Sequence, residues 1–82
     1  MKAFCVFPYP HPAVTGCVLI WAKNRGAARA MGECFFLESF IELGAWRSPE
    51  FDKYYSGNNF ITSNAELPEG APPFFVDPEK VI

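Results

Sequence analysis

The side chains able to do acid–base or nucleophilic chemistry are few in this sequence, and their spacing does not suit catalysis. The single histidine, His11, lies between two prolines, and no second group is placed to orient it as a base. No serine lies in the glycine-flanked turn that exposes a catalytic nucleophile. We therefore expect no catalytic residue and no enzymatic activity.

The three cysteines are the remaining candidates for metal binding. Cys5, Cys17 and Cys34 are odd in number and irregularly spaced, so we interpret them as reduced thiols of a cytosolic protein. Pairing of the first two strands would bring Cys5 near Cys17, but His11 is six residues from each, and Cys34 lies near the far end of a helix. The sequence thus predicts neither a metal site nor a cofactor.

Three cations, Lys23, Arg25 and Arg29, surround the start of a predicted helix. Free backbone donors at a helix start attract anions, but the repeated glycines and the Lys-Ser/Thr pair of a phosphate-binding loop are absent. The net charge of −2 also disfavours a general attraction to nucleic acid. Three roles for these cations stay open. They form a solvated helix face in which Arg29 pairs with Glu33, they contact a protein partner, or they contact nucleic acid.

Acidic and aromatic residues offer two further surfaces. The carboxylates lie around the third strand and the second helix. Either they mimic nucleic-acid phosphates and bind a basic groove of a target, or they only keep the chain soluble. They are Glu33, Glu38, Glu42, Glu50 and Asp52. The aromatic side chains form either a second small core or an exposed patch for a partner or a second copy; they are Trp21, Trp46, Tyr54, Tyr55, Phe74 and Phe75.

The elements that position these residues make a small α+β domain. Half of the 82 residues are hydrophobic, so the chain folds as one domain with a small core. Alternating or continuous apolar runs predict strands over 2–7, 17–22 and 38–47. Asn24 is placed to cap an amphipathic helix over 25–35 whose apolar stripe holds Ala28, Met31 and Phe35, with Gly32 on the opposite, polar side. Ser48, as cap, and Pro49 start a second, short helix.

The β-β-α-β-α order predicts a three-stranded antiparallel sheet with spatial order 2-1-3, because the helix returns the chain to the sheet so that the outer strands run parallel. Residues 1–56 form the compact α+β domain, and 57–82 form an irregular, Pro-rich tail on the same domain. Apolar groups at 60–61 and 74–76 are spaced to attach this tail. Either the tail, a second copy or a partner covers the sheet face that carries Phe40 and Trp46.

Two motifs resemble those of a family of small, uncharacterised phage and prophage proteins. They are the A-x-x-R-G-x-A-x-x-x-G helix of Ala22, Arg25, Gly26, Ala28 and Gly32, and the R-x-P-E-F-D run of Arg47, Pro49, Glu50, Phe51 and Asp52. The resemblance covers roughly 1–55 and implies a small phage-encoded protein of an infected bacterial cytoplasm. In size and compactness the chain is also similar to anti-CRISPR proteins, which bind a host effector complex and do not catalyse.

The sequence therefore favours a phage protein that binds and inhibits a host defence complex, such as a CRISPR effector complex, with no small-molecule substrate and no membrane span. The predicted state is a monomer or a homodimer. A nucleic-acid-binding accessory protein and a self-associating structural phage protein are the alternatives. The predicted partner-binding residues are Arg25, Arg29, Glu33, Glu42, Trp46, Arg47, Glu50 and Asp52.

Overall fold

The structure is a computed structural model that describes residues 1–8, 16–36 and 42–75. The predicted α+β class is confirmed. His11, Glu38, Phe40, Ile41 and Val76, for which the sequence made predictions, lie outside the described residues. The elements in chain order are strands β1 (Lys2–Pro8) and β2 (Val18–Ala22), helix α1 (Arg25–Gly32), strand β3 (Leu43–Arg47), a 3-10 helix (Pro49–Tyr54), strand β4 (Phe60–Ile61) and a 3-10 turn (Asn64–Glu66).

One antiparallel sheet with the order β3-β1-β2-β4 organises the described residues. The predicted 2-1-3 order of the first three strands is confirmed, and β2 and β3 run parallel because both are antiparallel to β1. The predicted count of three strands is wrong, since β4 pairs with β2 through Ile61 opposite Leu19 and Phe60 opposite Ile20. A two-residue strand is too short to produce a visible alternation in the sequence.

Helix α1 packs on one face of the sheet, against Phe4, Val6, Val18, Ile20, Leu43 and Ala45. Its predicted cap is confirmed, because Asn24 Oδ1 accepts a hydrogen bond from Ala27 N at 2.8 Å. The placement of Gly32 on the polar side is wrong, since Gly32 is buried and a Cβ there would lie 2.4 Å from Val6 Cγ1. The last turn of the helix touches β1 directly because Gly32 has no side chain.

The opposite face of the sheet carries a second core under the C-terminal segment. Trp21 is 1% exposed, and its Nε1–H donates to the carbonyl oxygen of Phe51 at 2.9 Å. Phe74 meets Phe51 edge to face, with the ring centroids 4.9 Å apart. Asn64 Oδ1 accepts from the backbone N–H groups of Phe74 and Phe75 at 2.8 and 2.7 Å. The segment predicted as an irregular tail is therefore attached to the sheet by a strand and by aromatic packing, and a side-chain amide joins its two halves.

The second predicted helix is present as a 3-10 helix with Pro49 in its first turn. Ser48 does not cap it through its side chain, which was the prediction; Ser48 Oγ instead donates to the carbonyl oxygen of Trp46 at 3.5 Å. Phe51 of this helix is buried in the second core. The helix thus connects the end of β3 to the face of the sheet that Trp21 occupies.

Candidate functional site

Two of the predicted contact residues, Arg47 and Asp52, bind each other and the start of β1. Arg47 Nη1 donates to Asp52 Oδ1 at 2.6 Å and to the carbonyl oxygen of Ala3 at 3.1 Å, and Nη2 pairs with Asp52 Oδ2. Asp52 Oδ1 also accepts the N–H of Ala3 at 2.7 Å. We call this set of Arg47, Asp52 and the Ala3 backbone the terminal clamp. The hydrogen bonds of these two side chains run to each other and to the start of β1.

The terminal clamp fixes the ionised state of Asp52. The hydrogen bonds from Arg47 and from the Ala3 amide lower the pKa of the Asp52 carboxyl to about 2. About a third of each side chain is exposed, so solvent screens the pair in part. The R-x-P-E-F-D run, in which Arg47 and Asp52 begin and end the motif, therefore has a structural role in this chain.

Trp46 is the largest exposed hydrophobic side chain of the described sheet, at 61% exposure. It lies on the same face as Trp21, because Trp46 is opposite Cys5, Trp21 is opposite Ala3, and alternate residues of β1 share a face. Its ring meets the buried ring of Phe7 edge to face at 5.3 Å. One side of the indole thus packs on Phe7, and the rest is open to solvent.

The position of Trp46 on an edge strand adds backbone groups to this surface. β3 ends the described sheet and pairs only with β1, so alternate N–H and C=O groups of Leu43–Arg47 point away from the described strands. Glu42 and Glu50 are exposed next to β3 and make no ion pair among the described residues. We call the outer edge of β3 with Trp46, Glu42 and Glu50 the Trp46 edge.

The other three predicted contact residues lie elsewhere. Arg25, Arg29 and Glu33 are exposed on or just after α1, which packs on the sheet face opposite to Trp46. The Arg29–Glu33 pair, one of the interpretations that the sequence left open, is not formed in the described part of the chain. The eight predicted residues therefore separate into the inward-facing clamp, the Trp46 edge and a charged row on the helix.

Sequence reasoning missed an apolar groove between α1 and β4. The groove has a volume of about 360 Å³ and is lined by Met31, Cys34, Phe35 and Phe60. Phe60 is 40% exposed and contacts Phe35 at 4.5 Å between centroids. The only sequence signal for this groove is the apolar end of the helix, since the position of Phe60 depends on the two-residue strand β4.

Cys5 and Cys17 are diagonal neighbours on adjacent strands, as hairpin pairing predicted, and interaction with the Cys17 thiol raises the pKa of the Cys5 thiol. Cys34 is exposed at the end of α1. Among residues 1–8, 16–36 and 42–75, no three His, Cys, Asp or Glu side chains converge in the way that metal coordination requires. None of the helices in these ranges has the length and hydropathy needed to cross a bilayer.

Comparison of the chain with protein-family models, with curated proteins and with solved structures gives no match. The geometry of the Trp46 edge is therefore the main guide to function.

Proposed function

We propose that this chain is a non-enzymatic, phage-encoded inhibitor that binds a host defence complex through the Trp46 edge, with a CRISPR effector complex as the first target to test. The observation that carries the proposal is the 61% exposure of Trp46 on an edge strand. The resemblance of the two sequence motifs to small phage proteins favours a target in the infected host.

An exposed tryptophan on a rigid support suits a binding hot spot. Tryptophan contributes much of the energy at protein interfaces, where truncation of a central residue costs about 2 kcal/mol or more. Phe7 is 2% exposed and its ring packs perpendicular to the Trp46 indole, which reduces the side-chain freedom that binding must remove. This contact partly organises Trp46 before a partner arrives.

The charges beside Trp46 indicate the chemistry of the partner. Asp52 forms the ion pair with Arg47 within the terminal clamp, Glu50 interacts with Arg47 electrostatically without pairing with it, and Glu42 makes no ion pair with a described side chain. The Trp46 edge is thus acidic around an aromatic centre, and a Lys- or Arg-bearing segment fits it by charge and by stacking of a cation on the indole. CRISPR effectors hold nucleic acid in positively charged channels, which is consistent with this complementarity.

The edge backbone favours an extended partner segment. Such a segment would pair with the outward N–H and C=O groups of Leu43–Arg47 and place alternate side chains next to Trp46. Backbone pairing supplies affinity, and the indole with its flanking carboxylates supplies selectivity.

The test measures binding of the purified chain to purified CRISPR effector complexes, together with inhibition of target-DNA cleavage. Trp46→Ala should weaken binding by roughly 30-fold or more, the equivalent of a 2 kcal/mol hot spot. Reversal of the flanking charges in Glu42→Arg with Glu50→Arg should slow association and remove its salt dependence. The matched control, Arg25→Glu with Arg29→Glu, reverses two charges on α1 and should change affinity less than about 3-fold.

Two outcomes would overturn the proposal. In the first, no effector complex binds, and no host protein is retained in a Trp46-dependent manner. In the second, Arg25→Glu with Arg29→Glu abolishes binding and Trp46→Ala leaves it intact. Retention on DNA or RNA that weakens steeply as salt rises would instead favour the nucleic-acid-binding alternative through Lys23, Arg25 and Arg29. A concentration-dependent mass in light scattering would favour self-association.

A further inference from the structure

The backbone groups on the outer side of β3 belong to alternate residues, and the pairing with β1 shows which ones. Ser48 N–H donates to the Ala3 carbonyl oxygen at 2.9 Å, so the backbone groups of Ser48 point toward β1. Residues two apart in a strand point the same way, so those of Trp46 and Gly44 also point toward β1. Pro8, which has no N–H, is opposite Leu43 and so occupies a position that needs no bond to β3. The outward N–H and C=O groups belong to the three intervening residues, Leu43, Ala45 and Arg47.

Trp46 is open to contact from an added strand because its neighbour on the same face is a glycine. Gly44 and Trp46 alternate with Ala45, so they share a face of β3. The tip of the Phe7 ring lies over Gly44, since a Cβ there would be 2.7 Å from Phe7 Cζ. This ring is buried at 2% exposure, whereas Trp46 is 61% exposed. A long side chain on an added strand, opposite Gly44, therefore reaches the indole as a diagonal neighbour.

The side chain that suits the position opposite Gly44 is arginine. Its planar guanidinium stacks on an indole and donates hydrogen bonds to a carboxylate at the same time. Glu42 is exposed two residues before Gly44 and makes no ion pair with a described side chain. Arg47 does not compete for the indole, because Asp52 and the Ala3 carbonyl oxygen hold its guanidinium. An arginine of the partner thus finds an aromatic ring and a carboxylate near one position of β3.

We propose that the partner adds an extended, antiparallel strand to β3 and places an arginine opposite Gly44, where it stacks on Trp46. The added strand bonds to the outward backbone groups of Leu43, Ala45 and Arg47. Antiparallel addition continues the pairing of the described sheet and is the more stable kind per residue. This inference rests on the proposed function for the location of the partner, and it adds the direction, the register and the contact residue of the partner strand.

The test uses a synthetic probe, the capped peptide Thr-Val-Thr-Arg-Thr-Val-Thr, whose sequence is the same in both directions from the arginine. Its titration into the isotope-labelled chain should give saturable shifts of the outward amides, those of Leu43, Ala45 and Arg47. At saturation, hydrogen exchange at these amides should slow at least about 5-fold. The Gly44 and Trp46 amides, which point toward β1, should change less because they are protected before the peptide binds.

Two N-methylated peptides separate strand addition from docking by side chains alone. Methyl groups on the two threonines that flank the arginine remove the N–H groups that an antiparallel strand donates to Leu43 and Ala45, so binding should weaken at least about 5-fold. The matched peptide carries the methyl groups on its two valines, whose N–H groups point away from β3, and its affinity should change less than about 2-fold. Replacement of the peptide arginine by alanine, or Trp46→Ala in the chain, should weaken binding by about 3- to 30-fold. The control Arg29→Ala should change it less than about 2-fold.

Strand addition is overturned if no saturable binding occurs, if the two methylated peptides bind alike, or if the valine-methylated peptide is the weaker one. It is equally overturned if the alanine peptide binds as tightly as the arginine peptide. Trp46-dependent binding of an effector complex that leaves exchange at the Ala45 amide unchanged would overturn strand addition and leave the proposed function standing. Peptide binding as predicted, with no host complex bound, would support strand addition and overturn only the host target.

Discussion

The two tryptophans share one face of one sheet but have opposite environments. Trp21, in the inner strand β2, is 1% exposed under the C-terminal segment, and its indole N–H donates to Phe51. Trp46, in the edge strand β3, is 61% exposed, and its ring lies perpendicular to that of Phe7. The difference shows that the described part of the C-terminal segment, residues 57–75, covers only part of this face. We therefore assign Trp21 to stability and Trp46 to binding.

The largest expected effect is on stability at Trp21. Trp21→Ala should lower the free energy of unfolding by about 3–5 kcal/mol, because it empties the second core and leaves the Phe51 carbonyl oxygen without its donor. Trp46→Ala is the matched change and should cost no more than about 0.5 kcal/mol. Urea unfolding followed by circular dichroism measures both. If the Trp21→Ala variant does not fold, Trp21→Phe can replace it. This change keeps an aromatic ring but removes the indole N–H, and it should still lower the free energy of unfolding more than Trp46→Ala.

Equal losses from the two alanine variants would contradict the assignment, since Trp46 would then also be part of the core.

A second comparison tests whether Trp46 rests on a close-packed base. A Cβ at Gly44 would lie 2.7 Å from Phe7 Cζ, and Phe7 supports the Trp46 ring. Gly44→Ala should therefore cost about 1–3 kcal/mol and shift the emission of Trp46. Gly26→Ala in α1, where the nearest atom is the Asn24 Oδ1 at 3.5 Å, should be neutral or stabilise by up to about 1 kcal/mol. An unchanged stability in Gly44→Ala would mean that Phe7 moves freely and that the support is loose.

The attachment of the covering segment gives the next effect. Asn64→Ala removes the side-chain acceptor of the Phe74 and Phe75 amides and should cost about 1–2 kcal/mol. The same variant should speed hydrogen exchange at these two amides and increase quenching of Trp21 by acrylamide. The matched change is Asn58→Ala at an exposed position, which should alter neither measurement. If exchange at Phe74 and Phe75 stays slow in Asn64→Ala, the aromatic packing alone holds the segment.

The smallest effect concerns the terminal clamp beside Trp46. The pKa of Asp52 falls from its ordinary value of 3.8 to about 2 on folding, so the stabilisation is present above pH 3.8 and is lost as the pH falls toward 2. After allowance for screening, the change over this interval is about 1 kcal/mol. Asp52→Asn should flatten the pH dependence of the urea midpoint in this interval, and Glu50→Gln should leave it in place. An unchanged slope in Asp52→Asn would assign the titration to other carboxyls.

The sequence was sufficient for the first three strands, their order and the helix cap, because these depend on local alternation and on one Asn. It was not sufficient for the burial of Gly32, which depends on the close approach of Val6 from another strand. It was not sufficient for β4 either, because the pairing of Phe60 and Ile61 depends on the distant strand β2. The candidate site shows the same division. Trp46 was identified by residue type, but the terminal clamp joins Ala3 to side chains 44 and 49 residues away. No local pattern separates such an internal ion pair from a contact surface.

Photo-crosslinking in host cells tests the role of the Trp46 edge most directly. A benzophenone amino acid is placed at position 42, an exposed flanking position that leaves Trp46 in place, and the matched protein carries it at position 29, which is also exposed but lies on the side of the sheet opposite to Trp46. We predict a cross-link from position 42 to a host protein that co-purifies with a defence complex, and at least about 10-fold less from position 29. A cross-link to that complex from position 29 but not from position 42 would contradict binding through the Trp46 edge.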